Sequence, residues 1–125
     1  MKFNGICLIS ERVPSLVAFY EEVFSRKAAG NHVHAEFTFG EVGLAIFTRE
    51  GMEQMAPGSM RGAGYGACTL AFEVEDVDAE YERLKALGVE FVKLPATHPW
   101  GSRSFWFRDP DGNIIDFFSP VSPIG

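Results

Sequence analysis

Phe3 to Ile9 alternates, with Ile6 and Leu8 on one side and Gly5, Cys7 and Ile9 on the other, the period of a strand. After a Ser10–Pro14 turn, Val13, Leu16, Val17, Tyr20, Val23 and Phe24 recur at helical spacing, and the helix should end before Gly30. His32 to Phe39 alternates again: Val33, Ala35, Phe37 and Phe39 oppose His32, His34, Glu36 and Thr38. Gly40–Gly43 reads as a hairpin turn and Leu44 to Thr48 as the returning strand. Met52 to Gly66 has no period, is rich in Gly and Met, and reads as a linker or flap.

The order then restarts. Thr69 to Val74 predicts a strand, Asp76 an N-cap, Val77 to Leu87 a helix stopped by Gly88, and Val89 to Leu94 a strand. Pro95 to Gly101 reads as a loop carrying His98 and Trp100. Ser102 to Phe107 and Asn113 to Phe118 make a second hairpin about Asp109-Pro110-Asp111-Gly112. Laying Ile6 on Leu70 also lays Leu8 on Phe72, Val13 on Val77, Tyr20 on Leu84 and Val23 on Leu87. A slightly larger offset lays Phe37 on Phe105 and Phe39 on Phe107, and a longer one Phe47 on Phe117. The chain therefore reads as one α+β domain, 1–125, of two duplicated modules, 1–50 and 67–120, joined by 51–66.

Composition changes the picture in three places. Twelve Phe in 125 residues demand an aromatic core or pocket, and the equivalences assign most of them to the scaffold. A net charge of −6 disfavours a phosphate-backbone partner, so no nucleic acid is expected. Only Cys7 and Cys68 are present, both in apolar surroundings, and they read as reduced core thiols. No apolar run reaches bilayer length and the N-terminus lacks a leader pattern, so the expected compartment is the cytoplasm with no membrane partner. Phosphate-loop, dinucleotide, paired-cysteine and nucleophile-elbow patterns are absent from the sequence.

The stretch Phe105-Trp106-Phe107-Arg108-Asp109-Pro110-Asp111-Gly112-Asn113-Ile114-Ile115-Asp116-Phe117, with Leu70–Val77 and Leu87-Gly88-Val89, resembles the vicinal oxygen chelate superfamily. That superfamily includes glyoxalase I, extradiol dioxygenases and bleomycin-resistance proteins. The resemblance implies two βαβββ modules forming a cupped, barrel-like mixed sheet around a cavity, and a homodimer. It also implies a divalent metal held by His or Gln on the first strand of each module and Glu on the last. Carried over residue by residue, those positions hold Gly5, Thr69, Asp116 and Ile46, or Ala45 one residue away. Only Asp116 is a strong donor, so no metal or other cofactor is expected. A site from His34, Glu36 and Asp116 is the one departure from that pattern left open.

Strand parity sends Ile6, Leu8, Phe37, Phe39, Phe47, Leu70, Phe72, Phe105, Phe107, Ile115 and Phe117 toward the helices. It sends Cys7, His34, Glu36, Thr38, Ile46, Thr69, Glu73, Ser104, Trp106, Ile114, Asp116 and Phe118 to the cavity. A few polar groups among aromatics suit a small organic ligand. The candidate ligand-binding residues are Asp116, Trp106, His34, Glu36, Thr69, Phe118 and Trp100, with Asp116 partly buried and its pKa raised. The expected function is metal-free binding and sequestration of an aromatic or cationic compound. A metal-dependent lyase, isomerase or dioxygenase is the alternative, so enzymatic activity stays open, and a vestigial-cavity interaction module is a third reading.

Overall fold

A computed structural model describes residues 1–121. The chain divides into two compact units, Met1–Ala63 and Gly64–Gly125. Each has its own four-stranded mixed sheet, and no closed barrel occurs among the described residues.

The first unit contains β1 (Gly5–Ser10), α1 (Val13–Phe24), β2 (Ala29–Gly30), β3 (His34–Phe39), β4 (Val42–Thr48) and α2 (Arg49–Met55). Its strand order is β1-β4-β3-β2, with β1 parallel to β4 and the other pairs antiparallel. Helix α1 has Pro14 in its first turn and buries Val13, Leu16, Tyr20 and Val23. These join Leu8, Ala35, Phe37, Leu44 and Ile46 in the core. Phe24 packs edge-on against both Phe37 and Phe39.

The turn between β3 and β4 has only two residues, Gly40 and Glu41, and pairs Phe39 with Val42. Cross-strand partners point the same way, so Val42, Leu44 and Ile46 follow Phe39 toward the helix. Ile46 is therefore core, at 0% exposure, and not cavity lining. Phe47 takes the opposite face, beside His34 with ring centroids 5.7 Å apart. This reverses the parity expected for both residues.

The expected linker also holds structure. Thr48 caps α2 by accepting from the Gly51 N–H at 3.0 Å. Glu53 accepts from the N–H groups of Gly58 and Met60 at 2.7 and 3.0 Å, fastening the next turns to α2. Those two bonds hold its pKa below the ordinary carboxylate value.

The second unit contains β5 (Thr69–Glu73), α3 (Val77–Ala86), β6 (Glu90–His98), β7 (Ser102–Arg108) and β8 (Ile114–Pro120), in strand order β5-β8-β7-β6. Asp76 caps α3 by accepting from the Ala79 N–H at 3.0 Å, as the sequence predicts. Leu70, Phe105, Phe107, Ile115 and Phe117 face α3, which contributes Val77 and Leu84. Arg103 holds Asp78 of α3 through two bonds, at 2.7 and 3.0 Å.

Strand β6 runs through Pro95 to His98, where a loop was expected. Its register against β7 shifts between Phe91 and Lys93 and again between Lys93 and Ala96. Bulges interrupt alternation, which hides such a strand from pattern reading. In the β7–β8 turn the buried Asp109 carboxylate accepts from the N–H of Asp111, the N–H of Asn113 and Asn113 Nδ2 at 2.8–2.9 Å. Gly112 has φ +94°, and a Cβ there would lie 2.6 Å from the Tyr65 ring.

The registers refine the duplication. With Gly5 matched to Thr69, Gly43 takes the place of Ile114, Ala45 of Asp116, Ile46 of Phe117 and Phe47 of Phe118. Likewise Ala35 corresponds to Phe105 and Phe37 to Phe107. The Phe37–Phe105, Phe39–Phe107 and Phe47–Phe117 equivalences expected from the sequence are thus each displaced. The offset between the units grows from the first strand to the last, because their turns and third strands differ in length. Cys7 and Cys68 are free, as expected, but both are exposed, not core. Cys7 lies on the sheet face opposite α1, and Cys68 just before β5.

Candidate functional site

The face of the second sheet turned away from α3 gathers most of the candidate chemistry. Lys93 on β6, Trp106 on β7, Asp116 on β8 and Ala71 on β5 form one row, each opposite the next. The following row holds Ser104 and Phe118, also direct partners. Thr69 stands at the other end, opposite Ile114.

Lys93 Nζ donates to the Ser104 carbonyl at 2.7 Å and lies 5.6 Å from the Trp106 ring centroid. Burial pushes the Lys93 pKa down. The Asp116 carboxylate pushes it back up, and the Arg103 charge lowers it.

Asp116 behaves in the opposite sense, and burial raises its pKa. Lys93, then the Trp106 indole, then His98 partly offset that rise. The indole N–H is near enough to favour the charged carboxylate, yet no well-formed hydrogen bond joins the two. Trp106 Nε1 and Asp116 Oδ1 are both shut off from solvent without a hydrogen-bond partner. A buried polar atom in that state costs about 1–3 kcal/mol.

His98 ends β6, and its ring stacks on Trp100 with centroids 4.5 Å apart and planes within 2°. His98 Nε2 is 3.5 Å from the buried Ser104 hydroxyl. Trp100 itself is 74% exposed. The sequence singled out Trp106, Asp116, Phe118, Thr69 and Trp100, and all lie in the second unit. Lys93 was missed. Its signal was a lone charge in the apolar run Phe91-Val92-Lys93-Leu94-Pro95.

His34 and Glu36 belong to the first unit, on the sheet face opposite α1. There the row equivalent to Ala71, Asp116, Trp106 and Lys93 is Cys7, Ala45, Glu36 and Ala29. Partial desolvation of the otherwise exposed Cys7 thiol raises its pKa, and the Glu36 charge adds to the rise. The Glu36 carboxylate lies over Gly43, where any Cβ would collide with it.

The register also decides between the two residues left open for the last strand of the first module. Ala45, not Ile46, is the counterpart of Asp116. The four positions at which the resemblance puts metal ligands thus hold Gly5, Ala45, Thr69 and Asp116. One carboxylate, one hydroxyl and two positions without a donor do not fit the usual set of three or four protein ligands. Among the described residues no three His, Cys, Asp or Glu side chains gather as a metal ion requires.

The sheet topology and the Asp109-Pro110-Asp111-Gly112-Asn113 turn leading to Asp116 define the class. The sequence profile of the Glyoxalase/Bleomycin resistance protein/Dioxygenase superfamily matches residues 2–117, and the chain belongs to that superfamily. It is similar to the uncharacterized protein YraH of Bacillus subtilis (strain 168), with 34% identity over 94% of this chain and 98% of that protein. It is 35% identical to the bleomycin resistance protein of Geobacillus stearothermophilus over 47% of this chain and 44% of that protein. A crystal structure of a glyoxalase/bleomycin resistance protein/dioxygenase from Nocardioides shares the fold, with TM-score 0.80 and 25% identity. That match covers 100% of this chain and 88% of that one.

Proposed function

We propose that this protein binds and sequesters a small organic molecule without a resident metal. The observation that carries the reading is the row Lys93–Trp106–Asp116. At the one family ligand position that keeps a strong donor, the carboxylate faces an indole and an ammonium in place of further metal ligands. Trp106, Phe118 and Trp100 would supply the apolar contact, Asp116 and Lys93 the orientation. The partial similarity to a bleomycin resistance protein supports binding over turnover, and that match spans less than half of either chain.

The deciding experiment is metal content after purification without chelators, with melting curves in Ni, Zn, Mn and Fe. No stoichiometric metal and no stabilisation by any of the four are expected. A stoichiometric ion, or lyase or dioxygenase activity restored by one, overturns the reading in favour of the family's metal chemistry. We also propose a cytoplasmic homodimer with no nucleic-acid partner. Among the described residues no helix is long and apolar enough to cross a membrane, and sedimentation velocity tests the dimer.

A further inference from the structure

We propose that the face of the second sheet opposite α3 recognises a neutral group that pairs a hydrogen-bond acceptor with a donor, the amide of a carboxamide, lactam or urea, held by Trp106 Nε1–H and Asp116 Oδ1. This rests on the small-molecule reading above and narrows it to a ligand class.

Three observations carry the inference. The first is a complementary pair, an obligate donor and an acceptor, near enough for the indole to favour the charged carboxylate yet without a well-formed hydrogen bond. A ligand that fills both removes two desolvation penalties at once, which water-exposed groups could not offer. The second is their placement. Trp106 and Asp116 are direct cross-strand partners, so their Cα atoms stand about 4.5–5.5 Å apart and one functional group can meet both. Ala71, the neighbour beyond Asp116, carries only a methyl group and crowds that group little.

The third observation is charge. Lys93 stands on the far side of Trp106 in the same row, and its ammonium offsets the carboxylate. His98 adds to that offset, while Arg103 is engaged by Asp78. A cation seeking Asp116 must compete with Lys93, and an anion seeking Lys93 is repelled by Asp116. A neutral donor–acceptor group meets neither obstacle.

The test uses three probes of one shape: benzamide, benzamidinium and benzoate. Binding is followed by the indole N–H resonance of Trp106, told from that of Trp100 by Trp106→Phe. Benzamide should move that resonance and bind about tenfold more tightly than either charged probe. Trp106→Phe and Asp116→Leu should each weaken benzamide about five- to tenfold, with an unchanged fold by circular dichroism. Either variant suffices if the other fails to fold. Tighter binding of benzamidinium or benzoate, or an unmoved Trp106 resonance with benzamide bound, overturns the amide class and leaves the small-molecule reading standing. If none of the three perturbs any resonance of β7 or β8, both fall.

Discussion

Trp106 and Asp116 face each other across the β7–β8 ladder, and neither the indole N–H nor Asp116 Oδ1 has a hydrogen-bond partner. Among the described residues these are the buried side-chain N and O atoms left without a partner. Asp109, a few residues away, shows the contrast: its carboxylate accepts three bonds from its own turn.

The raised pKa of Asp116 has a defined sign in stability. The folded state holds the proton more tightly than the unfolded chain, so this group's contribution is most favourable below the ordinary carboxylate pKa, about 3.9. It is lost as pH rises from there through the raised folded value. Asp116→Asn should remove that loss, so the variant's stability relative to the parent should grow as pH rises from acid to neutral. Urea melts of both proteins from acid to neutral pH check it, and parallel profiles would refute it.

Lys93→Met keeps the stem over Trp106 and removes the ammonium. Lys93 is the largest influence opposing the burial-driven rise at Asp116, so the Asp116 pKa should climb further in the variant. A carboxyl-carbon NMR titration reads this directly. An unchanged titration would show that the two groups do not communicate.

Asp109→Ala leaves the N–H groups of Asp111 and Asn113, and Asn113 Nδ2, without their acceptor. The expected loss is about 1.5–3 kcal/mol, the range for hydrogen bonds to a charged group. Denaturant melts measure it.

Ile46→Ala and Phe47→Ala test the reversed parity of β4. Ile46 is fully buried and Phe47 is half-buried on the opposite face. Truncating Ile46 should cost about 2–5 kcal/mol, and truncating Phe47 clearly less despite its greater size. Equal losses, or the reverse order, would restore the parity that alternation alone implies.

Much of the fold was legible because its periods are clean. Helix α1 announces itself through Val13, Leu16, Tyr20 and Val23, α3 through the Asp76 cap, and the β7–β8 hairpin through its turn residues. Four features escaped for distinct reasons. Strand β2 has only two residues, too few to show a period. Helix α2 is seven residues without a buried stripe, held by the Thr48 cap and followed by turns that Glu53 fastens to it. The β4 parity follows a register that matches Phe47 to Phe118 and not to Phe117, and apolar residues at both positions hide that one-residue difference. The bulges of β6 break the alternation that would have put Lys93 beside Trp106. The face of the second sheet opposite α3 was thus legible on β5, β7 and β8 and blank on β6.

Those bulges act on the outside of the sheet as well. β6 is an edge strand of its sheet, nine residues long, with exposed Val92 and Leu94, the kind of edge on which foreign strands can add. Pro95 supplies no N–H, and two register slips within four residues break the straight row of donors and acceptors that such growth copies. The irregularity that hid Lys93 from the sequence also makes this rim a poor template for added strands.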